Sequence, residues 1–288
     1  PLHTWLPDAH YEAPTAGSVQ LAAVLLKFGP YGFLRFAMPV FPAAVYELTP
    51  IFMVLALIGI IYGGLVAMVQ PQIKRLIAYS SVAHMGYIVL GLFALNIQGL
   101  SGSWIQMINH AIVTGALFLV VGMIYERTHT QEISEYGGVA HTMPKFAVFL
   151  VFFSLASVGL PGLNGFVGEI LTMIGAARVN IWYGILAVFG VLIAAIYMLW
   201  MVQRVLFGPL TKELVKGLND FSFREVVVLV PLVFWTIFLG VYPQPFFERI
   251  EVSINHYIEL IKSQEPRFAQ DEAESSGLAK FVVWNLGD

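Results

Sequence analysis

The chain is predicted to be all-α: a polytopic membrane helix bundle of about seven transmembrane helices, one of them broken. Three observations lead there. Of its 288 residues, 58% are hydrophobic and 11% charged, against about 25% charged in soluble domains. Mean hydropathy is +0.77. Apolar stretches recur at the length of roughly 20 residues that a helix needs to cross the hydrocarbon core.

The segments follow in order. Residues 1–16 (PLHTWLPDAHYEAPTA) are polar, proline-rich and too short to span. Spanning helices are predicted over about 17–39, 51–69, 76–96, 103–125, 146–176, 181–206 and 224–242. The fifth is too long for one straight crossing and contains Gly159, Pro161, Gly162 and Gly165. Proline removes a backbone donor and clashes with the preceding turn, so this segment reads as a broken helix, about 146–159 followed by 163–176, with a simple proline kink as the competing interpretation. A broken helix inside a membrane is tolerated where it lines a cavity or is covered by protein. After YPQP (242–245), Phe247, Ile250, Ile254, Ile258 and Ile261 share one face, with Glu248, Glu251, His256 and Glu259 elsewhere. That pattern predicts an interfacial or subunit-packing helix. Residues 263–277 are polar and expected to be mobile. The organisation is thus a short leading segment (1–16), a transmembrane domain (17–245), and an amphipathic helix with a polar tail (246–288). The chain starts at Pro1 without a signal peptide, which is expected of a fragment.

Charge sets the orientation. Lys74, Arg75, Arg127, Lys145, Arg204, Lys212, Lys216 and Arg224 fall on one side of the predicted spans. Arg35 and Arg178 fall on the other, with the tail's Arg249, Lys262, Arg267 and Lys280. Counted over short loops, the first side is predicted to be cytoplasmic, and the C-terminus lies outside. The net charge of −3 gives no electrostatic footprint for nucleic acid. The absence of cysteine excludes disulfides, thiolate zinc sites and Cys-ligated iron–sulfur clusters. No nucleotide-binding glycine loop follows a strand, and the histidines lack a metal-binding spacing such as HExxH. No cofactor is expected on this chain; lipid and other membrane subunits are the expected partners.

Function is carried by ionisable groups inside the apolar helices. Lys27 is the only one between Ala16 and Leu34. A lysine at the centre of a spanning helix costs about 2.5–3.5 kcal/mol on insertion scales. Ten residues into its predicted helix, it sits about 15 Å deep. Desolvation disfavours the charged form of a buried amine or carboxylate, which makes such groups able to exchange protons. The plainer alternative is a structural Lys paired with a carboxylate. His84, in KRLIAYSSVAHMGY (74–87), lies a similar distance from the basic end marked by Lys74 and Arg75, which read as interfacial anchors. Ser80 and Ser81 are one turn away and are expected to bridge to its ring. His110, in NHAIVTGALF (109–118), is expected about 10 Å from the outer surface, with Asn109 and Thr114 as polar neighbours and Gly115 permitting close helix approach. Glu169 follows the break and is expected in the outer half, beside Gly162, Gly165 and Gly168. For each of the three, a packing or helix-end role is the competing interpretation. His3, Asp8, His10 and Glu12 line either a water path or the interface; His129 and His141 read as surface loop residues. LPDAHYE (6–12) and LPGLNGFVGE (160–169) form a faint internal echo of the inverted-repeat kind.

LPDAHYEAPTAGSV, LLK (25–27), KRLIAYSSVAHMGY, NHAIVTGALF, YERTHTQEI (125–133), GLPGLNGFVGE and YPQP together strongly resemble the antiporter-like proton-channel subunits of respiratory complex I. The branch is that of the bacterial M chain and mitochondrial NADH dehydrogenase subunit 4. The resemblance runs from Leu2 to about Pro245. It implies a fold of fourteen helices in two inverted repeats with two broken helices, of which this chain forms the second half and residues 1–16 the end of the first broken helix. It maps the family's central Lys to Lys27, its channel histidines to His84 and His110, and its outer-side Glu to Glu169. It implies NADH, FMN, iron–sulfur clusters and quinone in other subunits, neighbouring antiporter-like subunits as partners, and a bacterial inner membrane. A driving Glu–Lys pair would precede Pro1. Related alternatives are a subunit of a multi-subunit sodium/proton antiporter or of a membrane-bound hydrogenase. The scarcity of carboxylates in the helices favours protons over sodium.

Overall fold

The structure, a computed structural model, describes residues 3–264. A short helix α1 (Trp5–Glu12) leads into the first span, α2 (Thr15–Val40). Then come α3 (Pro42–Met68), α4 (Ile73–Phe93), α5 (Ile97–Thr128), α6 (Pro144–Val158) and α7 (Asn164–Val179). The series ends with α8 (Ile181–Leu206), α9 (Phe223–Val241) and α10 (Gln244–Gln264). Six of these elements are long and apolar enough to cross a membrane, and α6 is a shorter apolar helix. The chain is therefore an all-α, multi-pass membrane bundle. The part of the expected mobile tail from residue 265 onward lies outside the described residues.

Two spans are longer than predicted. α3 starts at Pro42 rather than 51, because Pro42 is an allowed helix starter and Pro50 removes one rung without ending the helix. α5 starts at Asn96–Ile97 rather than 103: the Asn96 side chain accepts from the Gly99 amide at 2.9 Å and caps the helix. At its other end His129 takes a left-handed conformation and stops it.

The predicted break is present between α6 and α7. Gly159 and Gly162 adopt φ of +82° and +92°, a region that glycine enters without the steric cost of a Cβ. The echo seen in sequence does not extend to local structure. LPDAHYE lies in α1, whereas LPGL forms the non-helical break, since only the second segment has glycines where the chain must turn.

α4, α5 and α7, which carry His84, His110 and Glu169, pack almost backbone to backbone. A Cβ on Gly175 would come 2.5 Å from Gly99 Cα, one on Gly102 2.6 Å from the Thr172 amide nitrogen, and one on Gly91 2.6 Å from Gly99 O. Small residues of this kind let membrane helices approach closely. Gly115 meets α2 at ordinary contact distance, and Gly122, against Thr15, is the tighter point of that interface.

The basic end is tied together by polar contacts. Arg127 makes a two-pronged pair with Glu225 (2.7 and 2.8 Å). Ser222 and Glu225 form a capping box for α9. Asp220 accepts from the Lys145 amide at 2.9 Å. At the opposite end Arg178 donates to Gln98 at 2.8 Å. α10 lays Ile254 and Ile261 against the bundle and turns Val252 outward.

Candidate functional site

Lys27 sits at the middle of α2, where regular helix gives way to a 3₁₀ turn over Leu25–Lys27. Short 3₁₀ stretches inside a helix re-aim the side chains they carry. Its Nζ reaches back to the Ala22 carbonyl and lies 2.6 Å from His110 Nδ1. On its other side an apolar groove of about 470 Å³, walled by Phe28, Tyr31, Met107 and Ala111, opens beside it. The amine thus turns inward.

His110 is buried, at 3% exposure. It stands thirteen residues into α5 (Ile97 to His110), about 20 Å from that end. The expected depth of about 10 Å was too shallow because the helix begins six residues earlier than predicted. Its ring faces that of His84 edge-on, with centroids 5.6 Å apart. Its Nε2 has no hydrogen-bond partner among the described residues.

His84 is held from two directions. Nδ1 lies 3.0 Å from Glu169 Oε1 and Nε2 lies 3.1 Å from Ser157 Oγ. Ser80 and Ser81 do not bridge to it as expected: both hydroxyls donate to the Ile77 carbonyl, at 2.7 and 3.2 Å. Hydroxyls on a helix satisfy themselves against the carbonyl three or four residues back, which leaves His84 to find partners on α6 and α7.

Glu169 is 3% exposed. Besides His84, its Oε1 receives Gln106 Nε2 at 3.4 Å. The break shapes its pocket: a Cβ at Gly159 would stand 2.9 Å from Glu169 Oε2. Asn109 donates to the Asn164 carbonyl at 2.7 Å, tying α5 to the first turn of α7. Among these groups lies a cavity of about 10 Å³ lined by His84, Asn109, His110, Thr114, Ser157 and Glu169, close to the size that one water needs (about 10–15 Å³).

The four predicted residues therefore form one line: Lys27, His110, His84, Glu169. The leading segment separates. Asp8 and Glu12 are exposed, with Asp8 paired to Arg75 at 2.9 Å. His10 is fully buried, stacked on Phe118 with centroids 4.5 Å apart, and neither ring nitrogen has a partner among the described residues. His3 packs edge-on against Tyr62. Lys74 is not a surface anchor: it is 2% exposed and its Nζ donates to the Ala13 carbonyl just past α1 at 2.7 Å, the favourable end of a helix for a cation. His129 and His141 are exposed.

Sequence reasoning missed Ser157 and Gln106. Gln106 carried a signal, four residues before His110 and so on the same helix face. Ser157 carried only its polarity in an apolar run. Among the described residues no group of three His, Asp or Glu is arranged to hold a metal.

A bundle of spanning helices packed around a half-buried Lys27 and a buried His–His–Glu line defines a polytopic membrane protein with an ionisable interior. Residues 1–196 match the family model described as NADH:quinone oxidoreductase/Mrp antiporter, transmembrane, and the chain belongs to that family. It is 51% identical over 259 residues to NADH-quinone oxidoreductase subunit M of Rhodobacter capsulatus, covering 90% of this chain and 51% of that protein. The chain thus spans about half the length of the curated relatives it matches. Among solved structures it is similar to a chain of respiratory complex I from Thermus thermophilus with bound NADH (TM-score 0.85, 34% identity, 91% of this chain and 55% of that one). It shares its fold with a chain of the Mrp complex from Dietzia sp. DQ12-45-1b (TM-score 0.79, 20% identity, 91% and 58%).

Proposed function

We propose that this chain is the proton-translocating C-terminal half of an M-type membrane subunit of NADH:quinone oxidoreductase, in a bacterial inner membrane beside other antiporter-like subunits. The observation that carries the reading is the succession Lys27 Nζ, His110 Nδ1, the His84 ring and Glu169 Oε1 across α2, α5, α4 and α7, hydrogen-bonded at both ends and interrupted between the two rings by the small cavity. The 51% identity to a subunit M supports the assignment to that oxidoreductase. NADH oxidation and quinone reduction take place on other subunits, where the flavin, iron–sulfur clusters and quinone reside. This chain converts an electrostatic signal into proton movement.

The steps follow from the geometry. Protonated Lys27 gives its proton to neutral His110 at Nδ1. His110 releases a proton from Nε2 into the small cavity, and a water there passes it to His84 Nε2, which faces Ser157. His84 then gives up the proton on Nδ1 to the Glu169 carboxylate. Each His takes a proton on one nitrogen and loses one from the other, so each changes tautomer and must reset. Moving one charge against 100 mV needs about 2.3 kcal/mol, which a change in the electrostatic field at the Lys27 amine has to supply.

A sodium/proton antiporter subunit is the second reading, favoured by the shared fold with the Mrp chain. Sodium binding calls for several oxygen ligands, whereas Glu169 is the single carboxylate in this line. The test is Lys27→Ala in the full-length protein within its complex. Proton translocation should fall far more than assembly or electron transfer. A normal ratio of protons to electrons in that variant overturns the proposal, and sodium-dependent transport in vesicles would select the second reading.

A further inference from the structure

The small cavity between His110 and His84 is bordered by a polar group that the proton line leaves unused. Asn109 is 1% exposed and lines this cavity. Its Nδ2 lies 2.7 Å from the Asn164 carbonyl and 3.5 Å from Gln106 Oε1. A backbone carbonyl only accepts hydrogen bonds, so the Asn109 atom that faces it is the amide nitrogen, and the partner fixes which way the side chain is turned. Gln106 agrees: its own Nε2 is turned to Glu169 Oε1, which leaves its oxygen toward Asn109. Asn109 Oδ1 is thereby held on the other side of the amide, and it has no hydrogen-bond partner among the described residues.

His110 Nε2, on the next residue, is likewise buried without a partner among the described residues. The two atoms are complementary. An amide oxygen only accepts, whereas an imidazole nitrogen that releases a proton donates. Neighbouring residues on a helix point about 100° apart, so the two do not meet, and a third group is needed to join them. The cavity both residues line measures about 10 Å³, near the size of one water, and a buried water takes two to four polar partners. Asn109 Oδ1, His110 Nε2 and His84 Nε2 supply three.

We propose that Asn109 is a positioning residue for proton transfer, whose Oδ1 holds the water that joins His110 Nε2 to His84 Nε2. The inference rests on the proton-transfer reading and deepens it. The water takes the proton that leaves His110 Nε2, donates one hydrogen to Asn109 Oδ1 and passes another to His84 Nε2. One N–H bond breaks at His110 and one forms at His84, and the water ends as it began. While it carries the extra proton, the amide oxygen makes a charge-assisted hydrogen bond to it. An amide oxygen holds the carrier without taking the proton, as a carboxylate in the same place would. Because Nδ2 is tied to the Asn164 carbonyl, the water is placed by the helix that restarts after the break as well as by α5.

The experiment has two parts, both on the full-length protein in its complex. A density map fine enough to show ordered water should place one within about 3.2 Å of both Asn109 Oδ1 and His110 Nε2. An empty cavity, or a water that reaches only one of the two, overturns the proposal, and this part needs no variant. In inverted vesicles Asn109→Leu, similar in size but without an acceptor, should lower proton translocation per assembled complex about tenfold, the worth of one hydrogen bond to a charged group. It should also raise the ratio of the rates in ordinary and heavy water, because the step through the cavity then limits. Asn109→Ala leaves space for further water and should recover part of the loss. Translocation unaffected by Asn109→Leu overturns the proposal. So does a loss with an unchanged isotope ratio, which would make the tie to Asn164 the whole of the residue's role. Normal pumping by Lys27→Ala defeats the proton-transfer reading itself, whereas a failing Lys27→Ala beside a normal Asn109→Leu defeats only the role given to Asn109.

Discussion

His84 Nδ1 lies 3.0 Å from Glu169 Oε1, and both side chains are all but sealed from solvent, at 6% and 4%. The pair joins α4 to the helix that restarts after the Gly159 break. Removing one member of a buried polar pair leaves the other unsatisfied, at a cost of about 1–3 kcal/mol. Glu169→Ala should therefore impair both transport and stability. Glu169→Gln keeps an acceptor for His84 and the Gln106 contact but takes no proton. It should leave assembly intact and reduce proton translocation at least about a hundredfold, the lower end for losing a proton-transfer group. Transport in the Gln variant equal to the unaltered complex would remove Glu169 from the line.

Lys27 makes a sharper case through Lys27→Arg. Arginine keeps the positive charge and enough reach for the Ala22 carbonyl and His110 Nδ1, but a guanidinium does not give up its proton in a protein. A role limited to ion pairing predicts that Arg substitutes well; proton transfer predicts that it fails about as badly as Lys27→Ala. Proton pumping by inverted vesicles, normalised to assembled complex, distinguishes the two.

The close approach of α5 to α7 is the third point of test. At Gly168 a Cβ would collide with Gln106, and at Gly102 with the Thr172 amide at 2.6 Å. Backbone cannot yield as a flexible side chain does, so Gly102→Val should force the helices apart and cost at least about 1–3 kcal/mol, the usual range for overpacking. The displacement would also separate Gln106 from Glu169 and Asn109 from the Asn164 carbonyl. Gly29, which has nothing within 4 Å, supplies the control: Gly29→Ala should fold and assemble normally. Heat stability of the assembled complex measures both.

Much of this arrangement was legible in the sequence, and for identifiable reasons. A charged or imidazole side chain in an apolar span has no cheap exposed position, so Lys27, His84, His110 and Glu169 had to turn inward, and four inward groups in one bundle meet. Gly159, Pro161 and Gly162 announced the break because the chain cannot stay helical through them. What stayed hidden depended on tertiary contact. Ser80 and Ser81 looked suited to His84 by spacing, but their own helix supplied nearer acceptors. Ser157 took the place, from a helix whose rotation relative to α4 no sequence pattern reveals. The depth of His110 was misjudged because Asn96, a cap seven residues before Ser103, starts the helix earlier than hydropathy does. Lys74 read as an anchor because hydropathy does not show that α1 ends against it.

Outside the spans, Tyr136 offers a pH-dependent test of the basic end. It is 4% exposed. Its hydroxyl donates to the Thr130 carbonyl at 2.7 Å and meets Thr128 Oγ1 at 2.8 Å, holding the segment after α5 against the bundle. Burial pushes its phenol up to about 12, whereas an unfolded tyrosine ionises near pH ~10. The folded state therefore binds this proton more tightly than the unfolded state does. Its contribution is fully present below pH ~10 and is lost as pH rises from there to about 12. Tyr136→Phe removes the hydroxyl, so the variant should be less stable near neutral pH by about 0.5–1.5 kcal/mol, the net worth of a hydrogen bond. It should then lose less than the unaltered protein on going to high pH, since the remaining tyrosines are common to both. Thermal unfolding in detergent, followed by circular dichroism at pH of about 8, 10 and 12, gives the comparison. A gap between the two proteins that stays constant across that range would show that the buried phenol does not couple folding to alkaline pH.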